Sequence, residues 1–184
     1  ILSLPDALPI LITRLRTALS NTGLFAKEAG EIFESRREYL KAVEEYYAAM
    51  ADTSHTGIEA ENKLFLLLEF EESSKDVVKA LRAHTTDSTA ARAAQILAGY
   101  YLKAGDMDQA MRFTLLRDSL GGTNGTALLS FMRTCNERRL YGQVTVVGSE
   151  IVRRYGASPL LADARFLYAD ALTHLGRLDE AIGG

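Results

Sequence analysis

Residues 91–124 decide the fold, and they read ARAAQILAGYYLKAGDMDQAMRFTLLRDSLGGTN. The apolar residues of the first half that recur at helical spacing are Ala94, Leu97, Ala98, Tyr101 and Leu102. That spacing places them along one face of a helix. Gly105 can then adopt the left-handed conformation that ends many helices, and Asp106 can cap a second helix with its carboxylate. The stretch therefore predicts two helices joined by a tight turn.

The pattern of Gly105, Met107 and Ala110 at this turn recurs along the chain. Its copies are Arg37, Tyr39 and Ala42; then Arg139, Tyr141 and Val144; and then Gly176, Leu178 and Ala181. These copies lie 68, 34 and 37 residues apart, which is close to two, one and one periods of 34 residues, a period typical of helical repeats. The copy expected within 57–90 does not keep the small residues and is degenerate. Because one hairpin cannot bury its apolar face alone, we expect neighbouring copies to stack.

This pattern resembles the tetratricopeptide repeat of bacterial type, a unit of two antiparallel helices. In that family position 8 is small, positions 11 and 17 are large, and position 20 is alanine. Position 8 is Gly30, Ala98, Met132 and Ala169 here; position 11 is Phe33, Tyr101, Cys135 and Leu172; position 17 is Tyr39, Met107, Tyr141 and Leu178; position 20 is Ala42, Ala110, Val144 and Ala181. Since Met132 and Val144 are large, we expect the unit that contains them to pack less closely.

The resemblance implies an all-α fold, a right-handed α-solenoid of stacked antiparallel helix hairpins over residues 11–184. Its units are 23–56, a degenerate 57–90, 91–124, 125–161 and a truncated 162–184. Residues 1–10 resemble a translated sequencing adapter, so we expect a non-native leader there and a first helix near 11–20. The alternative is a natural extended leader.

Composition excludes several classes of protein. The 184 residues are 47% hydrophobic and 24% charged, with a formal net charge of −3. An acidic chain is an unlikely ligand for a nucleic-acid backbone, so we expect no nucleic-acid partner. The single cysteine cannot form an internal disulfide. No apolar run approaches the roughly 18 residues of a membrane span, so we expect no transmembrane segment.

No motif points to catalysis, and we predict no enzyme, no catalytic residue, no cofactor and no metal. The glycine-rich stretch 121–125 lacks the strand and lysine of a phosphate-binding loop and is interpreted as an interhelical loop. Cys135 falls at a predicted core position, and the nearest histidine in sequence, His174, lies one unit later. The acidic cluster is Glu59, Glu61, Glu69, Glu71 and Glu72. Its pattern is typical of a solvated helix face.

The resemblance also implies a binding groove. In the family, positions 2, 5, 9, 12 and 13 of the first helix of each unit line a concave surface that holds a peptide or a partner helix. The polar residues at these positions are Lys27, Glu31, Ser35, Arg92, Gln95, Lys103, Arg133, Asn136, Glu137, Asp163, Asp170 and His174. We therefore expect a noncatalytic protein–protein interaction scaffold that binds a peptide or a protein partner. The alternative is a regulatory or docking segment of a larger enzyme or signalling protein.

The segment from Tyr155 to Ile182 is similar to repeat units of bacterial cell-envelope proteins. That similarity implies a bacterial source and favours the periplasm or envelope, with the cytoplasm as the alternative. The sequence does not determine the oligomeric state.

Overall fold

The computed structural model describes residues 4–84, 89–156 and 158–183, and this part of the chain forms eleven α-helices and no β-strand. The helices are α1 (Leu4–Leu19), α2 (Ala26–Ser35), α3 (Tyr39–Ala49), α4 (His55–Leu67), α5 (Glu71–Ala83), α6 (Ala90–Ala104), α7 (Met107–Gly121), α8 (Thr126–Glu137), α9 (Tyr141–Tyr155), α10 (Leu161–His174) and α11 (Leu178–Gly183). The predicted all-α class is confirmed. Residues 1–3 of the predicted leader, 85–88 of the predicted unit 57–90, 157 of the unit 125–161 and 184 of the unit 162–184 lie outside the described residues.

The first helix begins earlier than the sequence predicts. It begins at Leu4 and contains Pro9, whose carbonyl oxygen accepts a hydrogen bond from the Thr13 hydroxyl at 2.8 Å. Helical apolar spacing continues upstream through Leu8 and Ile12, and Ile12 is buried. The part of the predicted leader that the structure describes is therefore helical.

The chain forms two compact units, the first ending at Tyr100 and the second beginning at Tyr101, so the division falls inside α6. In the first unit α1 packs on α2, α2 on α3, α3 on α4 and α5, and α4 on α5. In the second unit α7 packs on α8, α8 on α9, α10 on both α8 and α9, and α11 on α10. Helices that are consecutive in sequence pack together in each unit, which is a repeat-like arrangement.

The turn inside the hairpin has the same backbone geometry four times. Arg37, Gly105, Arg139 and Gly176 have φ angles of 60°, 81°, 59° and 73°. The next amide N–H donates to the carbonyl oxygen five residues earlier in every copy: Glu38 to Phe33 at 2.9 Å, Asp106 to Tyr101 at 3.0 Å, Leu140 to Cys135 at 2.9 Å and Arg177 to Leu172 at 2.9 Å. This bond is the closing bond of the Schellman motif, which satisfies carbonyl groups at a helix end. The positions that repeat in the sequence are therefore also the positions at which the backbone turn repeats.

The two helices of the hairpin α2–α3 approach each other closely at a glycine. Tyr46 of α3 is fully buried, and a Cβ atom placed on Gly30 of α2 would lie 2.6 Å from the tyrosine ring. A real side chain does not tolerate that distance, so a glycine is needed where the two helices approach.

The hairpin α8–α9 makes the same contact with the sizes reversed. Met132 of α8 is fully buried, and a Cβ atom on Gly148 of α9 would lie 2.8 Å from its methyl carbon. Met132 and Val144 are both completely buried. Gly148 leaves the space that the methionine side chain fills.

In the described part of the chain, none of the helices has both the length and the apolar character that crossing a bilayer requires.

Candidate functional site

Lys27, a predicted groove residue of α2, forms an ion pair with α4. Lys27 Nζ lies 2.8 Å from Glu59 Oε2 and 4.0 Å from Glu31 Oε1. The hydrogen bond between Lys27 and Glu59 raises the pKa of the lysine and lowers the pKa of the glutamate. Lys27 is half-buried, whereas Glu31 is exposed. The lysine therefore links two helices, and Glu31 offers a carboxylate to solvent.

Arg92 has contacts on three sides within its own unit. Its guanidinium donates to the Glu61 carboxylate at 2.9 and 2.6 Å, to the Met50 carbonyl oxygen at 2.5 Å and to the Gly57 carbonyl oxygen at 3.0 Å. These bonds join α6, which carries Arg92, to the end of α3 and to the first turns of α4. A partner would have to break them to engage Arg92, so this residue is built into the fold. Gln95, one turn further along α6, is half-buried.

In the second unit, Arg133 of α8 and Asp163 of α10 form an ion pair. The two side chains are 53% and 60% exposed. Exposed pairs of this kind contribute little to stability, because water competes for both charges. Both groups therefore lie on a solvated surface where two packed helices meet, and an incoming charged group could exchange with either one.

A second polar pair follows on α10. His174 Nε2 lies 3.7 Å from Asp170 Oδ1, and the His174 ring stacks on Tyr141 with centroids 4.3 Å apart. The ring stack fixes the imidazole plane while 51% of the side chain stays exposed. This arrangement presents a flat aromatic surface beside a carboxylate.

Three predicted groove residues remain in the second unit. Lys103 and Glu137 are exposed, and Asn136 is half-buried. The Asn136 Oδ1 atom itself is buried, and no hydrogen-bond donor reaches it from the described residues. The structure thus brings Arg133 and Asp163 together and pairs Asp170 with His174.

Exposed apolar residues on the first helices were not among the residues predicted from the sequence. Ile58, Phe65 and Leu66 of α4 are 54%, 36% and 52% exposed, and Phe166 of α10 is 73% exposed. The Phe65 ring lies beside Gly99 of α6. A Cβ atom placed on Gly99 would lie 3.7 Å from the ring, which is an ordinary van der Waals distance. Ile58 and Phe65 are two helical turns apart, and this spacing is the sequence signal that indicates an apolar helix face. Interpreting the unit 57–90 only as degenerate hides that signal.

The glycine-rich stretch 121–125 connects α7 to α8, as the interhelical interpretation expects. Asp118 is buried beneath it and accepts hydrogen bonds from the Gly125 amide at 2.9 Å, from the Thr123 hydroxyl and from the Tyr155 hydroxyl. The Asp118 carboxylate thus accepts hydrogen bonds from two donors of this loop, the Gly125 amide and the Thr123 hydroxyl. The contact with Asp118 also raises the pKa of Tyr155.

Cys135 lies in the core of the second unit, fully buried. Burial raises the pKa of its thiol to about 11, which keeps it protonated and unreactive at neutral pH. Within the described residues, no group of three His, Cys, Asp or Glu side chains is placed to hold a metal ion.

The acidic cluster divides into two parts. Glu59 and Glu61 pair with Lys27 and Arg92. Glu69, Glu71 and Glu72 are exposed where α4 meets α5, and Glu72 forms an exposed ion pair with Arg37.

Comparison of the chain with protein-family models, with curated proteins and with solved structures finds no match.

Proposed function

We propose that this protein is a noncatalytic protein–protein interaction scaffold. Its helix hairpins would stack as a right-handed, tetratricopeptide-like α-solenoid, and the first helices of the hairpins would hold a peptide or a partner protein in a groove. The repeated turn and the packing of α10 on both α8 and α9 support the stacked arrangement. A reaction centre is not part of the proposal.

The observation that carries the proposal is the surface shared by α8 and α10. Arg133 and Asp163 meet there in a solvated pair, with Asp170 and the ring of His174 further along α10. Charged groups on an accessible surface orient a partner and speed its association. Exposed aromatic residues such as Phe166 supply the apolar contact from which most binding energy comes.

The test begins with peptides selected for binding from a random library. The affinity of the best peptide is then measured by fluorescence anisotropy for the natural protein and for the double variant Lys103→Glu, Arg133→Glu. Reversal of both charges is expected to change the dissociation constant by about tenfold or more.

The matched control is Arg112→Glu, which reverses an exposed arginine on α7, a different helix of the same unit. This control is expected to bind the peptide with unchanged affinity. The proposal fails if the library yields no binding peptide, or if Arg112→Glu weakens binding as much as the double variant does.

A further inference from the structure

The last three helices of the second unit border a cavity of about 250 Å³. Its walls include Val152 of α9, Tyr168 and Ala169 of α10, and Ala181 of α11, and α10 packs on both α9 and α11. We call this space the α9–α11 cavity. Pockets that hold drug-sized ligands usually measure roughly 300–1,000 Å³, so this cavity fits a smaller molecule.

The walls of the cavity are largely apolar and held in place. Val152, Ala169 and Ala181 present only alkyl groups. A Cβ atom placed on Gly148 of α9 would lie 2.7 Å from a ring carbon of Tyr168, so the tyrosine ring packs closely against that helix. Because the ring is fixed before a ligand arrives, less conformational entropy is lost on binding.

Of the three charged side chains that line the cavity in the described part of the chain, two are already paired. Arg153 donates to the Glu150 carboxylate at 2.9 and 2.5 Å. Glu180 accepts from Arg177 at 2.8 and 2.6 Å, with one bond to each carboxylate oxygen. The third is Arg165, an exposed residue of α10 that has no ion pair or hydrogen bond with another described residue. The charge left unpaired at the cavity is therefore positive.

The neutral polar groups of the cavity point to the same kind of ligand. The Ser149 hydroxyl donates to the Val146 carbonyl oxygen at 2.8 Å, within its own helix. The Tyr168 hydroxyl, like the Arg165 guanidinium, has no hydrogen-bond partner among the described residues. A guanidinium binds a carboxylate through two parallel charge-assisted hydrogen bonds, and a phenol can donate a further one. The unused donors therefore suit an anionic acceptor.

We propose that the α9–α11 cavity binds a small organic acid, a carboxylate on a short apolar body. The carboxylate would meet Arg165, and the body would lie against Val152, Tyr168 and Ala181. This site goes beyond the proposed scaffold function, because its ligand is a small molecule. In the described part of the chain, the charged and aromatic residues of the partner-binding surface on α8 and α10 do not line the cavity, so each proposal can fail without the other.

Three ligands with the same six-carbon chain separate the charge from the apolar contact: hexanoate, hexanol and hexylammonium. Binding at neutral pH is followed by chemical shifts of the carbon-13-labelled methyl groups of Val152, Ala169 and Ala181. Hexanoate is expected to bind with a dissociation constant on the order of 1 mM, hexanol about fivefold or more weaker, and hexylammonium weaker still. Equal binding of hexanoate and hexanol, or no methyl shift with hexanoate, overturns the inference.

A first pair of variants tests the cation. Arg165→Gln removes the charge at an exposed position, so the fold is expected to remain, and the dissociation constant for hexanoate should rise about fivefold, to the value for hexanol. The matched control is Arg112→Gln, which changes an exposed arginine of α7 that does not line the cavity. It should bind hexanoate as the natural protein does. Unchanged affinity in Arg165→Gln, or an equal loss in Arg112→Gln, contradicts the assignment.

A second pair of variants tests the space. Ser149→Phe places a ring at the edge of the cavity from an exposed position of α9, and it should weaken hexanoate and hexanol alike by about tenfold or more, because the ring occupies their volume. The control is Val146→Phe, one turn earlier on the same helix at a residue that is 52% exposed and does not line the cavity. Hexanoate binding that survives Ser149→Phe, or that both variants abolish, would place the ligand elsewhere.

The same chemistry occurs at the C-terminus of a peptide that ends in an apolar residue. Acetyl-Gly-Leu with a free carboxylate is therefore compared with hexanoate and with the amidated dipeptide. Tighter binding of the free dipeptide assigns the cavity to a peptide C-terminus, and tighter binding of hexanoate assigns it to a free acid. In both cases the amidated dipeptide should bind about fivefold or more weakly than the free one. Equal binding of the two dipeptides overturns the role of the carboxylate.

Discussion

In the hairpins α2–α3 and α8–α9, a large side chain fills the space at the equivalent crossing of the two helices, but it comes from the second helix in one hairpin and from the first helix in the other. In the first, glycine stands on the first helix and tyrosine on the second, as Gly30 and Tyr46. In the other, methionine stands on the first helix and glycine on the second, as Met132 and Gly148. Both pairs are about 16 residues apart in sequence, so they occupy equivalent places. Each of these two hairpins thus places a glycine opposite a large side chain, and the glycine stands on the first helix in one and on the second helix in the other.

The two hairpins also differ in how they use polar groups. The Tyr46 hydroxyl donates to Glu34, and Lys63 Nζ lies 3.1 Å from the same carboxylate, so three helices of the first unit meet at one charge. In the second unit Glu150 is held by Arg153 and Arg154 of its own helix. Charges of the first unit therefore cross-link helices, whereas many of those in the second face solvent.

The largest effect on stability should come from removing the large side chain at the α8–α9 crossing of the second unit. Met132→Ala removes a fully buried side chain, and Gly148 opposite cannot fill the space. The free energy of unfolding is expected to fall by about 3 kcal/mol. Urea denaturation followed by circular dichroism measures the change, and a loss below about 1 kcal/mol would contradict the tight packing.

Filling the crossing in the first unit should cost less. Gly30→Ala places a Cβ against the buried Tyr46 ring, and the expected net loss is about 1–2 kcal/mol, even though alanine favours helix. The control is Gly99→Ala, where the new Cβ meets only Phe65 at 3.7 Å. That variant should gain about 0.5–1 kcal/mol. Equal effects of the two substitutions would show that Gly30 is not needed for close approach.

A smaller effect distinguishes hairpins that turn on arginine from those that turn on glycine. Arg139 has φ of 59°, a conformation that costs an L-residue about 1 kcal/mol. Arg139→Gly is therefore expected to stabilise the protein by about 1 kcal/mol or somewhat less, measured as a rise in the urea midpoint. Gly105→Ala, the opposite change at an equivalent turn, should destabilise by a similar amount. A stabilising Gly105→Ala would contradict the shared turn geometry.

The smallest effect is electrostatic and depends on pH. Hydrogen bonds from Arg153 and Arg154 lower the pKa of Glu150 from 4.5 to about 2. The carboxylate therefore stabilises the fold above about pH 4.5, and this contribution is lost as the pH falls toward 2. Glu150→Gln should cost about 0.5 kcal/mol at neutral pH, since the arginines are partly exposed.

The matched control for Glu150→Gln is Glu137→Gln, which alters an exposed glutamate and should leave the free energy of unfolding unchanged across the same range. A cost of Glu150→Gln that grows on acidification would contradict the sign of the pKa shift.

Local signals made much of the fold predictable from sequence. The spacing around Gly105 predicts helices that begin at Met107 and at Tyr141, and α7 and α9 begin there. Asp106 caps α7 as expected, accepting a hydrogen bond from the Gln109 amide at 3.1 Å. These features depend on residues near in sequence, so the pattern alone is sufficient.

Contacts between helices were less predictable. The compensation of Met132 by Gly148 requires knowing which residues oppose each other in space, and no spacing along one helix shows it. Arg92 was placed in the groove by position, yet backbone carbonyl groups of Met50 and Gly57 take up its donors. The exposed apolar residues Phe65, Leu66 and Phe70 were overlooked because deviation from the repeat was interpreted as a loss of pattern.

The most direct test of the shared crossing is a nuclear Overhauser measurement on isotope-labelled protein. The account predicts cross-peaks between the Tyr46 ring protons and the Gly30 Hα protons, and between the Met132 methyl and the Gly148 Hα protons. The absence of either set, with both residues assigned, would contradict the claim that the two hairpins are copies with exchanged side-chain sizes.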